Sequence, residues 1–146
     1  MDILQGQSEN VLRIDGKHFS YHSLEGWMEK AIFVAYHYHA YTLYIALLLN
    51  NLSNALDAVK NCRKTEEGAK GTPEFEAVHV PGILTTAYAL YWEAIIQLRQ
   101  YEHWTQSDIA RFEYIVEYFQ TCAQNSPSTF RHKSIYLEGL WCFRIL

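Results

Sequence analysis

Residues 31 to 49 read AIFVAYHYHAYTLYIALLL, and these nineteen residues contain no formal charge, no Gly and no Pro. So apolar a stretch has to be buried, and its apolar residues fall on many faces of a helix. We therefore predict a helix that begins after an N-cap at Ser23 and lies at the centre of a bundle. Its two His residues, its Tyr residues and Thr42 disfavour a membrane span and favour a buried helix without a membrane partner.

The composition fits one folded domain. The chain has 146 residues, of which 49% are hydrophobic and 15% aromatic, enough for a core without disulfides or a structural metal. We predict an all-α bundle of about five helices, with residues 23–146 forming a single helical domain. Residues 1–22 are expected to form an arm or a short hairpin, because Asp15-Gly16 is a common hairpin turn.

Charge and cysteine content exclude several classes of protein. The net charge of −4 and the absence of a basic stripe argue against direct nucleic-acid binding by this segment. Cys62, Cys122 and Cys142 are too few and too dispersed for a disulfide framework or a zinc site. With no signal-peptide pattern at the N-terminus, we expect an intracellular location, in the nucleus or the cytoplasm.

Four further helices follow from periodicity and capping residues. The central helix should end near Asn50-Asn51, and the next should begin near Ser53. Residues 65–74 carry two Gly and a Pro and predict a loop. A third helix should enter at Pro81-Gly82. A fourth has cap residues at 105–108, and the last should be capped by Ser128, with Ile135 and Leu137 among its inward-facing residues.

No catalytic or metal-binding motif is evident. The sequence lacks a nucleophile elbow and a glycine-rich phosphate loop, so we predict no catalytic residues, no cofactor and a protein that is not an enzyme. His37 and His39 lie two residues apart and face different sides of a helix, so we predict no metal site. Arg99 and His103, one turn apart, leave a small helical ribonuclease as a remote alternative.

Tyrosine is unusually abundant, with 11 residues. Those on the two helices expected to be most buried can converge on a pocket that has apolar walls and a few polar groups, or they can simply fill the core. The candidate pocket residues are Tyr36, Tyr41, Tyr88, Tyr91 and Trp92.

The segment FVAYHYHAYTL at residues 33–43 resembles the Tyr-His helix of the fungal-specific transcription factor domain, the middle homology region of binuclear zinc-cluster regulators. A helix with Ala58 and Cys62, the entry Val80-Pro81-Gly82 and the segment at 112–119 follow in matching order and resemble that domain's C-terminal half. The resemblance implies a nuclear regulatory domain that responds to a small ligand or a co-regulator. The zinc cluster that reads DNA is not in this chain.

The same sequence also permits a second class of function. A stand-alone helical module for protein–protein interaction would need no ligand. It could form a homodimer through an exposed apolar face of the last two helices.

Overall fold

The computed structural model describes residues 21–28, 31–73, 84–99 and 104–145. Within these residues there are six α-helices and no strand, which confirms the all-α prediction. The predicted hairpin lies outside the described residues. The chain divides into two compact units, Met1–Val78 and His79–Leu146. The single domain over residues 23–146 stays a prediction, and each unit is described by itself.

The first unit contains α1 (Tyr21–Met28), α2 (Ile32–Leu48) and α3 (Leu52–Ala69). The predicted single helix from residue 23 to residue 49 is wrong, because Ala31 has extended backbone angles (φ −135°, ψ 98°) and separates α1 from α2. Ser23 accordingly lies inside α1 and not at a cap before it. The predicted break at Asn50-Asn51 is confirmed.

Two asparagines build the turn between α2 and α3. Asn50 has a left-handed backbone (φ 52°), a conformation that asparagine tolerates better than most residues. The side chain of Asn51 then caps α3 by accepting a hydrogen bond from the backbone N–H of Asn54 (3.2 Å). The short turn folds α3 back onto α2, so the two helices form a hairpin.

The α2–α3 interface combines large residues with small ones. Tyr36 and Leu43 of α2 are fully buried. The facing side of α3 is mostly alanine and cysteine, and such small side chains let the two helices approach closely around the larger ones. The buried residues of α3 are Ala55, Ala58, Val59, Cys62, Glu66 and Ala69. The predicted loop at 65–74 is therefore wrong over residues 65–69, which complete α3.

The second unit contains α4 (Leu84–Arg99), α5 (Gln106–Asn125) and α6 (Pro127–Ile145). The predicted cap of α5 is confirmed as a capping box, in which Thr105 and Asp108 each bond the other's backbone N–H. The predicted cap of α6 at Ser128 is wrong. Pro127 opens α6, a position where its missing N–H costs nothing, and Ser126 lies before it.

The core of the second unit is aromatic. Phe112, Phe119 and Leu137 are completely buried. The rings of Trp104 and Trp141 both contact Phe112, with centroids 5.2 and 5.4 Å from it, and they stack on each other at 6.4 Å. The indole of Trp104 donates to the carbonyl of Gln97 (2.8 Å), which joins the end of α4 to the start of α5. Leu137 is inward as predicted, whereas Ile135 is 58% exposed, against the prediction.

Candidate interaction surfaces

A cluster of three tyrosines and one lysine lies between α4 and α6. Tyr88 and Tyr91 are one turn apart on α4, and Lys133 and Tyr136 are one turn apart on α6, so each pair shares a helix face. The Lys133 ammonium lies 5.4 Å from the ring centre of Tyr88 and 6.0 Å from that of Tyr91. The rings of Tyr91 and Tyr136 are 6.5 Å apart. We call these four residues the tyrosine patch.

Tyr91 anchors this patch to the core. Its ring meets the buried ring of Phe119 edge-on at 5.9 Å and that of Trp92 at 5.3 Å. Burial, together with the neighbouring phenol of Tyr136, raises the pKa of Tyr91 above its usual value. Tyr91 therefore remains a protonated hydrogen-bond donor at neutral pH.

The outer residues of the patch are accessible. Tyr88 and Tyr136 are each about half exposed. The Lys133 ammonium donates a hydrogen bond to Nε2 of His132 (2.9 Å) and places its positive charge over the tyrosine faces, an attractive cation–π arrangement. Tyrosine is enriched at protein–protein contacts.

The structure brings together only part of the predicted pocket. Tyr88, Tyr91 and Trp92 lie in the second unit, and Tyr91 contacts Trp92 directly. Tyr36 and Tyr41 lie in the first unit, where Tyr36 is buried in the α2–α3 core and Tyr41 is 56% exposed. A ligand pocket shared by all five residues stays a prediction. Sequence reasoning missed Lys133 and Tyr136. Their spacing of three places them on one face of a helix, but it does not indicate which helix that face meets.

A second surface runs along α2. Phe33, Tyr41, Tyr44 and Leu48 are all substantially exposed, and with His37 they follow one another at spacings of three and four. They therefore form a continuous stripe on one face of the helix, which we call the α2 stripe. Nδ1 of His37 donates to the carbonyl of Phe33 (2.9 Å), and the two rings lie 4.2 Å apart, so one end of the stripe is internally ordered.

Each unit also has an open groove. The groove of the first unit has a volume of about 740 Å³, and that of the second about 490 Å³. Neither is lined by a residue of the predicted pocket. The first is lined by Glu25, Met28, Ile32, Ala35, His39, Asn61, Lys64, Thr65 and Gly68. The second is lined by Gln120, Ala123, Gln124, Pro127, Arg131, Ser134, Ile135 and Glu138.

His39 lines the first groove and is partly buried there. Its partial burial lowers the pKa of the imidazole, because a charged ring would lose hydration. His39 is consequently neutral at pH 7, with one ring nitrogen able to accept and one able to donate a hydrogen bond.

Three further predictions concerned a metal site, a membrane span and the ribonuclease alternative. No group of His, Cys, Asp or Glu suited to a metal ion occurs among the described residues. None of the helices in the described ranges is long and apolar enough to cross a membrane. Arg99 is the last residue of α4, whereas His103, its partner in the ribonuclease alternative, lies outside the described residues.

No protein-family model, curated protein or solved structure matches this chain. The resemblance to the fungal-specific transcription factor domain, and the nuclear or cytoplasmic location, therefore stay predictions.

Proposed function

We propose that this chain is a helical protein-interaction module and that the α2 stripe is one of its contact surfaces. A single observation carries the proposal. The 17 residues of α2 include no Asp, Glu, Lys or Arg, yet one face of the helix remains exposed along its length. A helix whose outer face only met water would gain solubility from charged residues there.

The size of the stripe sets the strength of contact it can support. Phe33, Tyr41, Tyr44 and Leu48 are 44–61% exposed, which leaves on the order of 400 Å² of surface if each side chain offers about 200 Å². At ~25 cal/mol per Å², covering it contributes ~10 kcal/mol before the cost of association. That cost is of similar size, so the stripe suits a reversible partner.

The regulatory function implied by the family resemblance is compatible with this proposal. In such a regulator the α2 stripe would bind a co-regulator, which is itself a protein–protein interaction. A response to a small ligand would depend on the predicted tyrosine pocket. In that case, adding the effector should raise the melting temperature of the chain.

Site-specific photo-crosslinking in cells that express the chain tests the proposal. A benzophenone amino acid replaces Tyr41 in the stripe, or Lys60 on the exposed side of α3 as a matched control. We expect a discrete crosslinked species from position 41 that is absent from position 60. It should disappear when Leu48→Glu places a charge on the stripe. Equal crosslinking from both positions, or none from position 41, would contradict an interface on α2.

A further inference from the structure

We infer that the tyrosine patch binds an acidic peptide segment of a partner protein, with Lys133 and the exposed tyrosine hydroxyls holding its carboxylates. This deepens the proposed function by giving the chemistry of a partner at a second surface. It uses residues of the second unit only and does not depend on the α2 stripe.

The polar groups of the patch are hydrogen-bond donors. The Lys133 ammonium has three protons, of which His132 accepts one. The hydroxyls of Tyr88 and Tyr136 are on rings that are about half exposed and can turn their protons toward a ligand. A carboxylate accepts several hydrogen bonds and carries the charge that complements an ammonium.

The charges around the patch favour the same ligand. Among the side chains described on α4 and α6, the carboxylate of Glu93 is buried and bound to Arg111, and that of Glu138 accepts from Ser134 (2.7 Å). Lys133 places its ammonium 5.4 and 6.0 Å from the ring centres of Tyr88 and Tyr91. The patch thus presents a positive charge beside exposed aromatic rings, and a carboxylate of a partner complements that charge.

The aromatic rings favour a peptide over a simple anion. Tyr88 and Tyr136 are about half exposed and offer flat apolar surface, and Lys133 lies over the ring of Tyr88. Tyrosine supplies contact area at a low entropic cost. Apolar residues between the acidic residues of a peptide can cover these rings. A nucleic acid is less suited, because phosphate backbones are held by many cations at once, whereas the patch contains one lysine.

Fluorescence anisotropy with defined probes tests the inference. The first probe is a fluorescein-labelled peptide with three Glu-Glu-Leu repeats, and the second has Gln in place of every Glu. A labelled single-stranded thymidine decanucleotide is the third. We expect the glutamate peptide to bind at least tenfold more tightly than either of the others, and its affinity to fall with added salt. Equal binding of the glutamine peptide, tighter binding of the oligonucleotide, or no binding of the glutamate peptide would overturn the inference.

Variants of the full chain locate the site. Lys133→Gln should weaken binding of the glutamate peptide at least tenfold, and Tyr88→Ala should weaken it severalfold, whereas Lys133→Arg should bind like the wild type. Lys60→Gln removes an exposed lysine of the first unit and serves as the control. Unchanged circular dichroism would show that the variants fold. Equal loss in Lys60→Gln and Lys133→Gln would overturn the assignment to the patch. The α2 variant Leu48→Glu should bind the peptide normally, so the two proposals can fail independently.

Discussion

The guanidinium of Arg111 holds the carboxylate of Glu93 through two parallel hydrogen bonds, from Nε to Oε1 (2.8 Å) and from one terminal nitrogen to Oε2 (2.9 Å). The Glu93 side chain is 3% exposed and that of Arg111 19%. The pair joins α4 to α5 beneath the surface. The guanidinium also lies over the ring of Tyr114, 5.3 Å from its centre.

Removing Arg111 should be strongly destabilising. Arg111→Met leaves a buried carboxylate without its cation, and we expect the free energy of unfolding to fall by about 3 kcal/mol. Arg111→Lys should lose less, because it keeps the charge but cannot form two parallel bonds. The double variant Glu93→Leu, Arg111→Met should recover much of the loss. Urea denaturation followed by circular dichroism measures these differences, and a single variant as stable as the wild type would show the pair to be unimportant.

The capping box of α5 should contribute measurable stability. Thr105 Oγ1 accepts from the backbone N–H of Asp108 (3.3 Å), and Asp108 Oδ2 accepts from that of Thr105 (3.0 Å). Thr105→Ala should therefore cost about 1 kcal/mol of unfolding free energy. Thr121→Ala, which makes the same change at an exposed position within α5, is the control and should cost nothing measurable. Equal costs at both positions in urea titrations would contradict a capping role.

His39 should make the chain less stable in mild acid. Since its pKa is lowered in the folded state, the unfolded chain takes up a proton first as the pH falls below about 6.5. Stability from this group is present above that pH and decreases below it. The urea midpoint of the wild type should fall between pH 7.5 and pH 5.5, and that of His39→Gln should fall less. The wild type and the variant both retain Glu25 and Lys64, which line the same groove.

The three cysteines should differ in reactivity. Cys142 is exposed, whereas Cys62 and Cys122 are buried. In the folded protein, a colorimetric thiol reagent should therefore modify Cys142 quickly and leave the other two. All three should react in strong denaturant. Cys142→Ser should abolish the fast phase, and rapid reaction of Cys62 or Cys122 in the native protein would show that its helix opens easily.

Local chemistry explains which helix boundaries the sequence predicts well. The cap at Thr105 and the turn at Asn50-Asn51 depend on hydrogen bonds between residues a few positions apart, so the signal lies within a short window. The end of α3 differs from the prediction because residues 65–74 are polar and contain two Gly and a Pro, a composition typical of a loop. Ala69 at the end of this stretch is buried, and the packing of α3 against α2 outweighs the modest cost of one helical glycine.

The residues of the tyrosine patch likewise differ in how far the sequence predicts them. The tyrosine content and the spacing of Tyr88 and Tyr91 are visible in the sequence, and they selected two of the four patch residues. The approach of Lys133 and Tyr136 joins residues more than 40 positions apart, and periodicity on one helix carries no information about such a contact.

The all-α class follows from the amino-acid sequence, because the apolar periodicities and capping residues are properties of single helices. Which side of the uncharged helix α2 is covered by α3, and which side remains exposed as the α2 stripe, depends on the packing of the folded chain. The physical reason is that hydrophobic burial is non-directional. Every face of α2 would gain by being covered, and the choice depends on which partner helix fits the side chains of that face most closely.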